Sequence, residues 1–127
     1  MSDCGLCVGG NADYEIIDYH WSFRDATEPI PCCECHREIA AGVAYEHVTG
    51  VNEEDGEDVE FKTCLDCANI ALGLSCGGDR AHGMLWSDLE DAEGFEGFSE
   101  ACVAKVESVS AKRYLRDRWL KWKGLVK

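Results

Sequence analysis

Two Cys-x2-Cys pairs, Cys32/Cys35 and Cys64/Cys67, stand 28 residues apart and restrict the chain more than any other feature. A CxxC turn offers two sulfurs to one ion from a tight local bend, and tetrahedral zinc takes four such ligands at about 2.3 Å. For both pairs to meet at one ion, the intervening chain must leave the first turn and return to the second. Its sequence suits that path. "VAYEHVTGV" (43–51) and "DVEFKT" (58–63) are rich in Val, Thr and aromatics, as strands are, and the charged, Gly-containing "NEEDGED" between them reads as a turn. "CLDCANIALGL" then reads as a helix that opens on the second pair. Knuckle, β-hairpin and a helix carrying the last ligands make a treble clef over residues 30–75. The expected fold class is a small, zinc-stapled α+β domain.

The stretch "PCCECHREI" (31–39) holds three cysteines for two ligand positions. Cys32 with Cys35 repeats the x2 spacing of the second pair, whereas Cys33-x-Cys35 needs a less common turn. Cys32 and Cys35 are therefore the expected ligands, Cys33 a spare or packed thiol, and His36 a weaker substitute. Cys4-x2-Cys7 forms a third knuckle with no CxxC partner left. Its nearest complement is Cys76-x5-His82 in the Gly-rich "SCGGDRAHG", so Cys4, Cys7, Cys76 and His82 are the expected ligands of a second zinc. Cys102, His20 and His47 compete for it.

At 127 residues the chain is one small domain, for which a metal staple adds stability a limited core does not supply. A short helix is expected at "SDLEDAEG", where Ser87 and Glu90 have capping-box spacing. A long C-terminal helix over 100–123 should follow, about 36 Å in length, with Ser99 as N-cap, Phe98 and Val103 as a hydrophobic staple, and Gly124 at its end. Leu115, Trp119, Trp122 and Val126 form its apolar stripe. The body is thus residues 1–98 and the basic amphipathic helix 99–127.

Charge divides along the same line. The net charge is −13, but residues 1–110 hold 24 of the 25 acidic residues and five of the 12 basic ones, while the last 17 residues are strongly basic. Such a body repels free DNA or RNA, since affinity for phosphates comes from cations. The start, Met1-Ser2-Asp3-Cys4, has no basic and apolar regions of a secretory signal, and no apolar run approaches the length of a membrane span. A cytoplasmic location is expected, where thiols stay reduced and CxxC pairs bind metal.

"CCECHREIAAGVAYEHVTGV", "FKTCLDC" and "HGMLWSDLED", with the N-terminal "CGLC", resemble a group of small cysteine-rich proteins of bacteriophages and prophages. The resemblance covers about residues 1–95. It implies activity inside a bacterial host and carries no catalytic residue.

The function expected from these features is non-catalytic: an accessory protein that binds and modulates or inhibits a host protein with a basic surface. A nucleic-acid-handling or defence complex fits, because clustered carboxylates can imitate phosphates. The expected contact residues are Glu53, Glu54, Asp55, Glu57, Asp58 and Glu60. The alternatives are a nucleic-acid-binding zinc module using the basic helix, with Tyr114, Trp119 and Trp122 to stack on bases, and a metal-dependent nuclease-like enzyme. The chain is expected as a monomer or homodimer.

Overall fold

The computed structural model describes residue 4 and residues 16–74, 82–90 and 95–124. These form a small α+β structure in which five strands precede four helices: β1 (Ile16–Asp25), β2 (Ile30–Pro31), β3 (Glu38–Ile39), β4 (Ala44–Asn52), β5 (Asp58–Cys64), α1 (Leu65–Leu74), α2 (Leu85–Glu90), α3 (Glu100–Ala104) and α4 (Val109–Trp122). A single 3-10 turn at Phe95–Gly97 lies between α2 and α3. No described helix is long and apolar enough to cross a membrane.

Strands β1, β4 and β5 make an antiparallel sheet in that order, and β2 pairs with β3 as a two-residue ladder. The β4–β5 hairpin is the expected one, with Val48 opposite Phe61 and Val51 opposite Asp58. Its turn is held by side chains: Asn52 Oδ1 accepts from Glu54 N at 2.9 Å and Asp55 Oδ1 from Glu57 N at 3.0 Å. Such Asx turns let charged residues form a defined tip. β1 has no counterpart in the sequence reading above, although Tyr19, Trp21 and Phe23 alternate along it. Its register against β4 slips between Ile17 and His20, where Asp18 takes a left-handed φ of 53°.

Helix α1 packs against β4, β5 and α4. The core includes Ile70, Ala71 and Leu74 of α1, Tyr45 of β4, Trp86 and Leu89 of α2, Cys102 and Val103 of α3, and Ala111 and Leu115 of α4. The expected single helix over 100–123 is two helices. Val106 turns fully into the core between them, and the Ser108 side chain accepts from Ala111 N to start α4 afresh. This corner lies against α1, where a Cβ on Gly73 would stand 2.7 Å from the Lys105 carbonyl oxygen. Only glycine allows that approach.

At the two ends the expectations fared differently. Ser99 is the N-cap of α3, and Gly124, at φ 79°, follows the last turn of α4. Ser87, expected as an N-cap, lies inside α2 and donates back to the Met84 carbonyl at 3.0 Å. The actual start of α2 is capped from a distance, by Glu34, whose carboxyl oxygens accept from Gly83 N at 2.9 Å and Leu85 N at 3.1 Å. The apolar stripe of α4 faces its own body. Leu115 is fully buried, Trp119 meets Phe98 at 4.8 Å between ring centres, and Trp122 meets Phe95 at 5.7 Å. Val126 lies outside the described residues.

Candidate metal centre

The knuckle is built by the backbone. Between β2 and β3, Cys32 N donates to the Arg37 carbonyl at 2.9 Å and His36 N to the Cys32 carbonyl at 3.0 Å, folding Cys32 and Cys35 onto one side. Closing this turn puts His36 at φ 63°, a left-handed conformation that costs a non-glycine residue about 1–2 kcal/mol. The second pair comes from a strand end and a helix start: Cys64 is the last residue of β5 and Cys67 lies in the first turn of α1. Cys33 N donates to the Lys62 carbonyl at 2.9 Å, which fastens the knuckle to β5.

The four sulfurs of Cys32, Cys35, Cys64 and Cys67 lie within 4.8 Å of one another and could hold a metal ion. Cys32 and Cys67 are fully buried and the other two half-buried. A tetrahedron with metal–sulfur bonds of about 2.3 Å has edges of about 3.8 Å, and Cys35 Sγ stands 3.8 Å from Cys64 Sγ. Around the sulfurs is a shell of N–H donors. Cys32 Sγ accepts from Glu34 N at 3.4 Å and Cys64 N at 3.3 Å. Cys64 Sγ accepts from Cys67 N at 3.5 Å and Arg37 Nη2 at 3.8 Å. Cys35 Sγ takes Arg37 Nε, and Cys67 Sγ takes the buried Trp86 Nε1, each at 3.3 Å. Donors of this kind favour thiolate over thiol.

Without a cation the four groups share protons. For Cys32, the bond with Cys35 works upward, but those with Cys64 and Cys67 outweigh it and bring the thiol down to about 6. Bonds from Cys32, Cys64 and Cys67 hold Cys35 far below the usual thiol range. The same network, Cys32 and Cys35 foremost, pushes Cys64 and Cys67 up. Four close sulfurs cannot all carry charge unless a cation stands among them. Zinc fits this donor set and geometry.

Two donors of the shell were not anticipated, and both lead into α4. The Arg37 guanidinium lies 3.6 Å from the centre of the Tyr114 ring and also reaches Asp66 at 3.4 Å. Trp86 lies edge-on to Tyr114 at 5.3 Å, with the Arg118 guanidinium over its own ring at 4.1 Å. Arg118 in turn binds Glu90. The only sequence signal for Arg37 was a cation two residues after a ligand. Trp86 and Tyr114 gave none.

The other candidate ligands separate. Cys33, the third cysteine of the stretch, is not part of the four-sulfur group and has its Sγ 3.2 Å from Thr63 Oγ1. Cys4 is in a disulfide with Cys102 of α3. This corrects the expectation that Cys4 is a zinc ligand and that all thiols are reduced, since a disulfide sulfur has no thiolate charge to offer. His82 is buried against the sheet, stacked on Phe61 at 4.7 Å with Nε2 at 2.9 Å from the Tyr19 hydroxyl. Cys7 and Cys76 lie outside the described residues. Among the described residues, the four cysteines are the one group of three or more His, Cys, Asp or Glu residues arranged to hold a metal ion.

The acidic residues of the hairpin are exposed from Glu53 to Asp58. Glu60, also exposed, receives His47 Nε2 at 2.7 Å and has Lys62 Nζ at 3.7 Å. No protein-family model, curated protein or solved structure matches the chain.

Proposed function

We propose that this chain is a non-catalytic binding protein, stapled by one structural zinc ion in a treble clef, that docks on a protein with a basic surface. One observation carries the structural role of the metal. All four tetrahedral positions are supplied by cysteine and every sulfur accepts an N–H, whereas a catalytic zinc keeps a position open for water. Glu53, Glu54, Asp55, Glu57 and Asp58 give the stapled body an exposed anionic tip that no cation among the described residues pairs with, unlike Glu60.

The basic helix is less suited to nucleic acid. Arg116 is held by Glu100 through bonds of 2.8 and 3.0 Å, Arg118 by Glu90 and the Tyr114 hydroxyl, and Lys123 lies over Trp119 at 4.6 Å.

Native mass spectrometry of protein purified without added metal tests the zinc. The expected excess is one zinc, lost in the Cys64→Ser variant. A protein that holds no zinc and folds regardless overturns the reading. The partner is tested by fluorescence anisotropy with a labelled lysine-rich peptide, whose affinity should fall steeply with ionic strength. Neutralising Glu53, Glu54 and Asp55 to Gln and Asn should weaken it further.

A further inference from the structure

Four of the most exposed large apolar side chains share one strand: Ile17, Tyr19, Trp21 and Phe23 of β1 are 45%, 46%, 49% and 56% exposed. The irregularity at Asp18 divides them. Ile17 pairs with Val51 and Trp21 with Val48, an odd offset, so Ile17 lies on one face and Trp21 and Phe23 together on the other. There the two rings pack edge to face, 4.7 Å between centres, and Trp21 Nε1 donates to the buried Glu46 Oε2 at 2.7 Å. The indole is thus held in one orientation with its surface toward solvent, which lowers the entropic cost of docking against it.

We infer that the outer side of β1 is the docking strip for an extended, cationic segment of the partner, laid along the strand with apolar side chains against Trp21 and Phe23. This deepens the basic-partner reading above and rests on it. Among the described residues β1 is the edge of the sheet, and an edge strand directs backbone N–H and C=O groups outward, where an added strand can take them. Charge selects the occupant. Ile16 pairs with Asn52, so the N-terminal end of β1 lies beside the turn that bears Glu53, Glu54 and Asp55. A segment on β1 runs from exposed aromatic rings toward clustered carboxylates about 20 Å along. Lysine or arginine fits both ends, by cation–π contact at the rings and by charge at the tip. A second copy, itself at −13, is repelled.

The test is a heteronuclear NMR titration of the zinc-loaded full chain with a short peptide of alternating lysine and valine, and with its glutamate–valine counterpart. The lysine peptide should shift the amides of 16–25 and the Trp21 indole N–H, and Phe23→Ser should weaken its binding about tenfold. The glutamate peptide should do neither. Shifts confined to residues 53–58 overturn the strip while leaving the basic-partner reading intact. Absence of binding by the lysine peptide overturns both. A doubled mass in light scattering that Phe23→Ser abolishes would make the face a contact between two copies, and overturns it as well.

Discussion

At the scale of single residues, Arg37 and His36 separate what supports the four-cysteine cluster from the sulfurs themselves. Arg37 supplies Nε to Cys35 and Nη2 to Cys64, so it offsets part of the negative charge that four thiolates leave around a divalent ion. Arg37→Ala should lower zinc affinity about ten- to hundredfold, the usual range for a group that orients metal ligands. Competition against a chromophoric chelator measures this, and an unchanged affinity would reduce Arg37 to a surface cover. His36 holds a left-handed backbone with its side chain exposed. His36→Gly should raise stability by about 1 kcal/mol, less the entropy glycine adds to the unfolded chain. Denaturant unfolding of the zinc-loaded protein reads it. A fall in zinc affinity instead would reveal His36 as a ligand.

At the scale of elements, α4 is tied to the four-cysteine cluster through stacked rings and guanidinium groups. Tyr114 underlies Arg37 and abuts Trp86, the two side chains that hydrogen-bond three of the four sulfurs. Tyr114→Ala should therefore weaken zinc binding although residue 114 lies far from the ligands in sequence. The cobalt-substituted protein should report it as a shifted thiolate-to-metal absorption band. A variant with normal affinity and spectrum would mean that α4 merely rests on the site. The α3–α4 contact has its own signature. The bidentate bond from Arg116 holds the Glu100 carboxyl below its ordinary value. A carboxyl depressed in the folded state stabilises above its unfolded pKa of about 4.3 and loses that contribution as pH falls through the lower folded value. Both groups are largely exposed, so the effect is small and salt-screened. Arg116→Met should flatten the acid limb of the stability curve, and only at low ionic strength.

At the scale of the whole molecule, the four-cysteine cluster and the disulfide fasten different ends. Structural zinc in small domains is worth on the order of 10 kcal/mol, comparable with the entire stability of a domain this size. Chelation should unfold β2–β5 and α1 together, seen as simultaneous loss of amide dispersion and near-ultraviolet dichroism. The Cys4–Cys102 bond closes 98 residues of sequence, and such a loop is worth about 4–5 kcal/mol in chain entropy. Mild reduction should lower the melting temperature and leave the zinc in place.

The convergence of Cys32, Cys35, Cys64 and Cys67 was legible because their spacing is local. A CxxC turn brings its own two sulfurs together within one bend, and the hairpin between the pairs shows in β-branched and aromatic runs whose period needs no tertiary contact. Ser99 and Gly124 were legible for the same reason. The break at Lys105–Ser108 was not: it depends on Val106 entering the core and on Gly73 admitting a carbonyl from a distant segment. Nor was the pairing of Cys4 with Cys102, since the Cys4-x2-Cys7 spacing reads locally as a knuckle and nothing beside Cys102 marks it as a partner. The side-chain donors to the sulfurs come from residues 37 and 86 and are steadied by residues 114 and 118, brought together only once α1, α2 and α4 share a core. The sequence by itself determined which four cysteines can meet and that the body is acidic, because turn spacing and charge are properties of the chain. Tertiary structure alone decided what steadies the cluster and that Trp21 and Phe23 face solvent, because both depend on which surfaces the packed elements cover.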